Sequence, residues 1–457
     1  MTATAGAIHR GRLAELLAAE RRSYTERHPR SAEAHREAVT LLGQVPMTWM
    51  NKNAGGFPLY LAGATGARVS DLDGHSYVDF SLGDSGAMAG HSPAATVAAV
   101  HRRLAETGGA TAMMPTEDAT WVGGELASRF GVARWSFSLT ATDANRWAIR
   151  LVRAVTGRPK ILVHSYCYHG SVDETLALPG PHGRAVPREG NVGAPCDVAL
   201  TTRVAEYNDL EALERELGHG DVAAVLMEPA LTNIGIVLPQ PGYLAGVRAL
   251  TVAAGTLLIN DETHTISAGP GGCTAAWGLS PDVVTVGKAI GGGIPAAAYG
   301  LSAELAGRLT SLSEADLIDT GGIGGTLSGN ALSLAAVRAT LGEVLTEEAF
   351  DSMIARCDRY RAGVQRVIDT HQLPWSISQV GARAEYRFAS PAPVSGTAAH
   401  AGGDDELEDY LHVFLLNRGV LLTPFHNMAL MCPVTTDGDV DLHLALLEEA
   451  VRTLLGG

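Results

Sequence analysis

The sequence predicts an α/β fold in which helices cover both faces of a mostly parallel sheet. Short apolar runs without polar alternation are the first observation, and helical patterns between them are the second. A parallel strand buried on both faces needs such a run, and a helix must connect it to the next strand. The third observation is the length of 457 residues, which suits one large domain with a smaller second one. The runs lie at 160–164, 223–227, 256–260 and 283–286, with helical segments such as 209–217 and 242–254 between them.

The beginning of the chain has a different pattern. Residues 9–43 are typical of an amphipathic helix that is interrupted at His28-Pro29. Short strands follow within 58–80, and the dipeptide Asp73-Gly74 predicts a hairpin between them. These elements fit a small domain better than the parallel sheet.

The end of the chain is helical over 331–370 and mixes strands and helices after residue 375. Both chain ends are therefore expected to build a small α+β domain beside the large one. We predict residues 1–84 as its N-terminal segment, 85–335 as the large domain and 336–457 as the C-terminal part of the small domain.

Composition excludes several classes of function. The formal charge of −15 opposes binding to a nucleic-acid backbone. No run approaches 18 uninterrupted apolar residues and the first residues carry no apolar signal-peptide stretch, so we expect no membrane contact. Five scattered cysteines without a CxxC pair favour reduced thiols. We expect no metal site. The expected location is the cytoplasm.

Polar side chains follow three of the apolar runs. Glu228 comes after one run, Asp261 after the next and Lys288 after the third. In open parallel sheets, ligands bind beyond the carboxyl ends of the strands. We therefore predict a site at this edge of the sheet, with two carboxylates and a lysine.

Lys288 is the first candidate catalytic residue. It is one of only three lysines, with Lys52 and Lys160, and it ends a buried strand before a glycine-rich loop. An ammonium with a pKa near ~10.4 is not a nucleophile at neutral pH, but a desolvated or imine-linked lysine is useful in catalysis. A lysine that extends to solvent at a strand end is the alternative interpretation.

Three further features point to a phosphorylated, planar cofactor. Asp261 could keep a pyridine nitrogen protonated, although it could equally cap the next helix. The segment 140–145 starts a helix whose amides at Ala141 and Thr142 suit a phosphate, although plain N-capping is commoner. Tyr168 follows a strand end and could stack on a ring, although most such tyrosines are core or rim residues.

Together and in this order, these residues resemble one family. From near residue 45 almost to its end, the sequence resembles class III (fold type I) aminotransferases that depend on pyridoxal 5′-phosphate (PLP). The sequences of segments 232–242 and 325–332 are most similar to those of the branch that contains glutamate-1-semialdehyde aminomutases and β-amino acid and ω-transaminases. The matching segments are 66–74, 90–91, 140–145, 168–170, 228–229, 239–242, 261–262, 287–293 and 325–330.

The resemblance implies a role for each matching residue. Lys288 would form the imine with the cofactor and then move the α-proton of the substrate, and Asp261 would pair with the pyridinium nitrogen. Tyr168 and Thr263 would lie on opposite faces of the ring. The resemblance also implies a homodimer, because Thr326 would bind the phosphate in the site of the partner subunit. The remaining cofactor contacts would be Ala141 and Thr142 at the phosphate and Glu228 near the O3′ side of the ring.

Two segments depart from the family pattern. The phosphate loop usually reads Ser-Gly-Ser/Thr-Glu-Ala, whereas residues 140–144 read Thr-Ala-Thr-Asp-Ala. The methyl group of Ala141 would crowd a phosphate if the position needs a positive φ, and Asp143 is shorter than Glu. Thr263 stands where Val is common. We therefore expect weaker or altered cofactor retention.

Transamination is the reaction that the sequence favours. The expected enzyme moves an amino group from a primary amine or a β- or ω-amino acid to a 2-oxo acid such as pyruvate, with Lys288 as general base. The alternative is an aminomutase of the glutamate-1-semialdehyde type, which moves the group within one molecule. A cofactor-binding protein without turnover is the third interpretation, and the intact Lys288 and Asp261 oppose it.

Four of the five candidate substrate residues lie outside the predicted large domain. Transaminases of this scaffold often carry a carboxylate-binding Arg near their C-terminus, and the matching stretch 422–433 has none. Arg383 is therefore the candidate carboxylate partner, with a structural salt bridge as the alternative. The candidates for the entrance of the pocket are Trp49, Phe57, Tyr60 and Met88.

Overall fold

The computed structural model describes residues 8–193, 197–311 and 322–456, so that Cys196 lies outside the described residues. The chain forms two units, one within Met1–Ser92, Ser352–Ala392 and Gly402–Gly457 and the other within Pro93–Asp351 and Pro393–Ala401. The strands are β1 (Leu61–Thr65), β2 (Arg68–Asp71), β3 (Ser76–Asp79), β4 (Arg134–Ser138), β5 (Lys160–His164), β6 (Ala177–Pro179), β7 (Ala185–Pro187), β8 (Thr202–Ala205), β9 (Val222–Met227), β10 (Leu257–Asp261), β11 (Val283–Val286), β12 (Ala297–Leu301), β13 (Ser376–Val380), β14 (Arg383–Arg387), β15 (Val420–Leu421) and β16 (Met428–Leu430). The α-helices are α1 (Arg10–Arg27), α2 (Pro29–Glu37), α3 (Ala94–His101), α4 (Glu117–Phe130), α5 (Ala141–Thr156), α6 (Leu210–Leu217), α7 (Tyr243–Ala254), α8 (Gly272–Ala276), α9 (Ala303–Ser311), α10 (Ala331–Ala339), α11 (Glu347–Thr370), α12 (Gly396–Ala401), α13 (Asp405–Leu416) and α14 (Asp437–Leu455).

A seven-stranded sheet forms the centre of the second unit and confirms the predicted α/β class. Its strand order is β4-β12-β11-β10-β9-β5-β8, and β12 runs in the direction opposite to the other six strands. The four apolar runs form β5, β9, β10 and β11, and the helical segments between them form α6 and α7. Every residue of β9 and β10 is buried, which explains why their sequences lack polar alternation.

The register of the parallel strands places their carboxyl ends at one edge. Met227, the last residue of β9, pairs with Asn260, and Asp261 pairs with Thr285 near the end of β11. The residues that follow these strands therefore emerge side by side. This edge is the one where the sequence predicts a site.

Helix α5 packs on the sheet through one apolar face. Ala144, Trp147, Ala148, Leu151 and Val152 recur at helical spacing, and all are buried in the same core as β5 and β9. The helix ends at Gly157, whose left-handed conformation lets its amide donate to the carbonyl of Arg153. Burial of this face fixes where the amino end of α5 lies.

The first unit contains a four-stranded sheet of order β1-β2-β3-β15 and a three-stranded sheet of order β13-β14-β16. Strands β2 and β3 pair antiparallel on either side of Asp73-Gly74, which confirms the predicted hairpin. Helices α1 and α2 are separated at His28, and Pro29 begins the second helix, as its fixed φ allows. The interruption predicted at this dipeptide is therefore confirmed.

The described part of the chain contains no helix long and apolar enough to cross a membrane. Cys167, Cys273, Cys357 and Cys432 are buried thiols outside any disulfide. Burial raises the pKa of the Cys357 thiol well above its ordinary value, which keeps that thiol protonated.

Candidate active site

Gly287 and Lys288 extend from the end of β11 toward the start of α5. A Cβ atom on Gly287 would lie 3.1 Å from the Cβ of Ala141 and 3.3 Å from its amide nitrogen, so only glycine fits this approach without displacement. Lys288 follows with a φ of 48°, in the left-handed region that non-glycine residues rarely adopt. Such backbone strain concentrates at functional sites.

Asp261 is held by three donors at the end of β10. Its Oδ2 atom accepts a hydrogen bond from Asn145 Nδ2 at 2.8 Å and lies 2.9 Å from Nδ1 of His169, and its Oδ1 accepts from the Thr263 amide at 3.0 Å. The Thr285 hydroxyl donates to Asn145 Oδ1 at 2.7 Å, which fixes the orientation of that amide. Asp261 is 3% exposed. The carboxylate therefore has one fixed orientation.

The pair of Asp261 and His169 is charged. Burial alone would raise the pKa of Asp261, but hydrogen bonding and attraction to His169 outweigh it and lower the pKa to about 2. Burial would lower the pKa of His169, but Cys167 and Asp261 outweigh it, and the pKa lies well above its ordinary value. At neutral pH, Asp261 is thus a buried carboxylate that can stabilise a cation on a ligand.

Lys288 and His264 are in contact within the same unit. The Lys288 Nζ atom lies 2.8 Å from His264 Nε2, which is a hydrogen-bond distance. Lys288 is half-buried, and His264 is only 5% exposed. The lysine amine is therefore held beside a second titratable group.

The amino end of α5 presents backbone amides. Thr140 is the N-cap, and its hydroxyl accepts a hydrogen bond from the Asp143 amide at 3.1 Å while donating to the Asp143 carboxylate at 2.9 Å. Asp143 thus completes the cap of the helix. Helix geometry leaves the amides of Ala141 and Thr142 without intrahelical acceptors, and the helix dipole favours an anion there. Ala141 starts the helix and is not among the described residues with positive φ, so its methyl group causes no backbone strain.

The loop after β5 packs directly against this helix start. Gly170 has a φ of 82°, and a Cβ atom there would lie 2.1 Å from Thr142 Oγ1. The Ser171 amide donates to the same oxygen at 3.2 Å. Tyr168, two residues before Gly170, is 37% exposed. Gly170 therefore lies against Thr142, and the exposed ring of Tyr168 belongs to the same loop.

Two further predicted residues are buried at the same edge. Glu228 follows β9 and accepts a hydrogen bond from the hydroxyl of Thr232. The buried Oγ1 atom of Thr263 has no hydrogen-bond partner among the described residues. A buried hydroxyl without a partner is costly unless a ligand or water satisfies it.

These residues fit a PLP cofactor. The amides of α5 suit its phosphate, the Asp261 carboxylate suits its protonated ring nitrogen, and Lys288 supplies the amine that the cofactor's aldehyde needs. The unpartnered hydroxyl of Thr263 offers a further polar contact. The second unit therefore presents a suitable group for the phosphate, the ring nitrogen and the aldehyde of this cofactor.

The other predicted site residues lie apart from this cluster in the chain. Thr326 belongs to the second unit and is exposed, and its contact with a partner subunit stays a prediction. Trp49 is 47% exposed and its ring meets Phe425 edge-on, with 6.3 Å between ring centroids. The Phe57 ring packs on Tyr24. The Tyr60 hydroxyl donates to the Gln44 carbonyl. Met88 is wholly buried within the first unit.

Arg383 lies on β14 of the first unit and is 0% exposed. One guanidinium nitrogen lies 3.6 Å from a carboxylate oxygen of Asp84, and another lies 3.7 Å from a carboxylate oxygen of Glu385. The predicted carboxylate partner therefore has two protein carboxylates beside it. Its role toward a substrate, like those of the other four substrate residues, stays a prediction.

Sequence reasoning missed three residues of the site. Asn145 and His169 lie within motifs that the sequence singled out, yet their contacts with Asp261 join positions 116 and 92 residues apart. In the sequence, His264 stands three residues after the end of β10. Its contact with Lys288 depends on the path of the intervening chain. The available signals were His169 directly after Tyr168 and His264 three residues after Asp261.

Fold and site together place the chain among PLP-dependent enzymes of fold type I. A family model described as aminotransferase class-III matches residues 49–451, and the chain belongs to that family. PLP is accordingly its cofactor.

Individual relatives show which members of the family this chain is similar to. The chain is 34% identical over 411 residues to a glutamate-1-semialdehyde 2,1-aminomutase of Desulfitobacterium hafniense (strain Y51), covering 88% of this chain and 93% of the relative. It is 48% identical to a solved glutamate-1-semialdehyde-aminomutase from Pseudomonas aeruginosa PAO1, with a TM-score of 0.94 and coverage of 98% and 99%. An alanine variant of that protein was solved in complex with PMP. An omega-transaminase from Sphaerobacter thermophilus has 27% identity and a TM-score of 0.83, covering 93% of this chain and 97% of its own.

The prediction of an aminotransferase acting between two molecules is wrong. The relatives that match this chain at 34% and 48% identity are both named as aminomutases, whereas the transaminase matches at 27%. The shared cofactor machinery explains the error, because the motifs at the strand ends serve both reactions. The intramolecular alternative is the one that these findings favour.

Proposed function

We propose that the protein is an aminomutase of the glutamate-1-semialdehyde type, which moves an amino group from carbon 2 to carbon 1 of one substrate molecule. The observation that carries the proposal is 48% identity, over 98% of the chain, to the Pseudomonas aeruginosa protein of that name. The Desulfitobacterium hafniense relative supports it over 93% of its own length. The likeness therefore extends beyond the cofactor-binding segments.

The proposed reaction is an isomerisation, so substrate and product contain the same atoms. The aldehyde at carbon 1 becomes an aminomethyl group and the amine at carbon 2 becomes a ketone, which gives 5-amino-4-oxopentanoate. Carbon 2 loses one hydrogen and carbon 1 gains one. The site must therefore move a proton between two adjacent carbons, and it needs no second molecule as amino acceptor.

Lys288 is the proposed carrier of that proton. Its Nζ atom would remove the proton from carbon 2 and deliver a proton at carbon 1 as general base and general acid. PLP, when bound, supplies the electron sink and carries the amino group between the two carbons. The strained backbone at Lys288 and the contact with His264 hold the amine at this edge of the sheet.

The other predicted cofactor residues would hold the group in place. Asp261, which remains ionised with a pKa of about 2, would keep the ring nitrogen protonated. The amides of Ala141 and Thr142 would bind the phosphate, and Thr326 would reach the phosphate from a partner subunit. Family members are dimeric, which is consistent with such sharing. The ring contacts would be Tyr168 and Thr263 on its faces and Glu228 near O3′.

The proposal is tested with glutamate-1-semialdehyde as the sole substrate of the PLP-loaded protein. We expect 5-amino-4-oxopentanoate to accumulate in equal molar amount as the semialdehyde disappears, measured by proton NMR. Added pyruvate should form no alanine and should leave the rate unchanged. The matched control is Lys288→Ala, which should convert no substrate.

Two outcomes would overturn the proposal. One is an unchanged semialdehyde in the presence of protein that has bound PLP. The other is conversion that requires a 2-oxo acid and releases the corresponding amino acid, because an intramolecular transfer needs no such partner.

A further inference from the structure

We propose that His28, Asp71 and His75 form a binding site for one divalent transition-metal ion, and that this ion is Zn²⁺. All three residues belong to the first unit, where His28 follows the end of helix α1, Asp71 ends strand β2 and His75 precedes strand β3. One ligand atom of each residue lies within 4.8 Å of those of the other two. The site uses none of the cofactor residues and does not depend on the proposed aminomutase reaction.

The spacing of the ligand atoms fits a tetrahedral zinc centre. The Oδ2 atom of Asp71 lies 3.5 Å from Nε2 of His28 and 3.1 Å from Nδ1 of His75. Nitrogen and oxygen ligands bind Zn²⁺ at about 2.0–2.1 Å, so that two ligand atoms of a tetrahedron are about 3.3 Å apart. Two imidazoles and one carboxylate are a donor set that zinc accepts, with water in the fourth position.

His28 directs an unprotonated nitrogen at this cluster. Its Nδ1 atom lies 2.6 Å from the carbonyl oxygen of Tyr24, which can only accept a hydrogen bond, so the hydrogen of the neutral ring is on Nδ1. Burial lowers the pKa of His28 and thereby favours the neutral ring. In metal sites, a backbone carbonyl commonly accepts from the second ring nitrogen of a histidine ligand. The Nε2 lone pair of His28 is therefore available to a metal ion.

The centre of the cluster has fewer hydrogens than its contacts need. The Oη atom of Tyr77 lies 2.6 Å from Asp71 Oδ2 and 2.8 Å from His28 Nε2. A phenol has one hydrogen, so it can donate to only one of these two acceptors. The other contact then joins two lone pairs, in a place where His28 is 0% and Asp71 is 3% exposed. A cation bound between His28 and Asp71 would compensate this excess of buried lone pairs.

The second oxygen of Asp71 and the exposure of His75 also suit a metal ion. The His75 amide donates to Asp71 Oδ1 at 2.8 Å, which orients the carboxylate and leaves Oδ2 toward the two imidazoles. The rings of His28 and His75 meet edge-on, with 4.8 Å between their centroids. The His75 side chain is 27% exposed, so an ion can reach the cluster from solvent.

A metal ion at this place would join the end of α1 to the β2–β3 hairpin. Asp73 in the turn of that hairpin already accepts from the amides of Arg30 and Ser31 at the start of α2, so the two parts are in contact. The proposal departs from the sequence-based expectation of no metal site. Asp71 and His75 are four residues apart, but His28 precedes Tyr77 by 49 positions, and only the fold brings it to the hairpin.

The proposal is tested on the PLP-loaded full chain after a chelator has removed bound metals and has itself been removed. Zinc chloride is added, binding is followed by isothermal titration calorimetry, and the metal content is measured after gel filtration. We expect the protein to retain one Zn²⁺ per chain. A parallel titration with Mg²⁺ should show no binding at this site, because Mg²⁺ prefers oxygen ligands.

The variant is His75→Phe, which keeps an aromatic ring beside His28 and Tyr77 but lacks the ligand nitrogen. We expect its zinc affinity to fall by at least about a hundredfold, because residues that only support a metal ligand already contribute about 10–100-fold. The matched control is His101→Gln. His101 is an exposed histidine whose Nδ1 atom lies 3.7 Å from a carboxylate oxygen of Glu106, and its loss should leave the affinity unchanged.

A parent protein that retains no Zn²⁺ would overturn the proposal, as would equal zinc affinities of the parent and His75→Phe. If the variant does not fold, crystals of the parent soaked in zinc chloride decide. Their anomalous difference map should contain a peak between His28 Nε2, Asp71 Oδ2 and His75 Nδ1, and peaks only at other histidines would contradict the site. None of these measurements uses the substrate, so a failed aminomutase assay leaves the result unaffected.

Discussion

The Nδ1 atom of His169 lies 2.9 Å from Oδ2 of Asp261 in a fully buried pair. Asp261 has a pKa of about 2 against an ordinary 3.8, so its stabilising contribution is present above pH ~4 and is lost as the pH falls toward 2. His169 has a raised pKa, so its contribution is complete below pH ~6.5 and is lost as the pH rises through the raised value. The pair therefore stabilises the fold most between about pH 4 and 6.5.

The variant His169→Gln tests this window. We expect the loss in free energy of unfolding, measured by chemical denaturation, to be largest between about pH 4 and 6.5, where the Asp261 shift alone corresponds to about 2 kcal/mol. The loss in free energy of unfolding should become smaller below and above this pH range.

His164→Gln is the control, and the pH dependence of its effect on stability should run in the opposite direction. Burial lowers the pKa of His164 to about 4, so its contribution is complete above pH ~6.5 and falls between pH 6.5 and 4. The same pH profile for both variants would contradict the charged pair.

Lys288→Ala should abolish conversion while leaving the fold unchanged, because it removes the amine that bonds to the cofactor and moves the proton. Reduction with borohydride should attach PLP covalently to the parent and not to the variant, as measured by mass spectrometry. Lys160→Ala is the control, since Lys160 pairs with Asp221 at the opposite end of β5 from the site. Covalent attachment in Lys288→Ala would show that another lysine serves the cofactor.

Gly170→Ala should weaken PLP binding at least about tenfold, because its Cβ would lie 2.1 Å from Thr142 Oγ1 and displace the helix start that suits the phosphate. Gly157→Ala is a matched control. Gly157 also has a positive φ, of 66°, but its Cβ would meet nothing within 4 Å. Both variants should lose about 1 kcal/mol of stability from the backbone, and only Gly170→Ala should change the dissociation constant. Equal dissociation constants would refute the proposed phosphate contact.

Arg383→Ala should destabilise the protein by about 3–5 kcal/mol, because it removes the buried guanidinium that lies beside the half-buried carboxylate of Asp84 and the buried carboxylate of Glu385. Arg359→Ala removes an exposed pair with Asp441 from the same unit and should change the melting temperature little. If Arg383 also binds the substrate carboxylate, Arg383→Lys should raise KM for the semialdehyde more than for an aminoaldehyde without a carboxylate. Equal changes in KM would assign Arg383 to structure alone.

The sequence by itself determined the α/β class, the strands β5, β9, β10 and β11, and the family. Local pattern is sufficient for these, because a strand buried on both faces must be apolar throughout and because the motifs after the strands lie within a few residues of each other. The prediction of amino transfer between two molecules was wrong for the same reason, because it rested on local motifs. Strand-end motifs at Asp261 and Lys288 serve the cofactor, and the cofactor is common to transfer between molecules and within one.

Only the tertiary structure decided which side chains meet. The contacts of Asp261 with Asn145 and His169, and of Lys288 with His264, join residues that are 24 to 116 positions apart. Their meeting depends on the parallel register of β9, β10 and β11 and on the burial of one face of α5, which place the strand ends and the helix start at one edge. Charge states follow from the same packing, since burial and a fixed partner set the pKa values of Asp261 and His169. No local pattern carries that information, because the pKa depends on atoms that the chain brings together only when it folds.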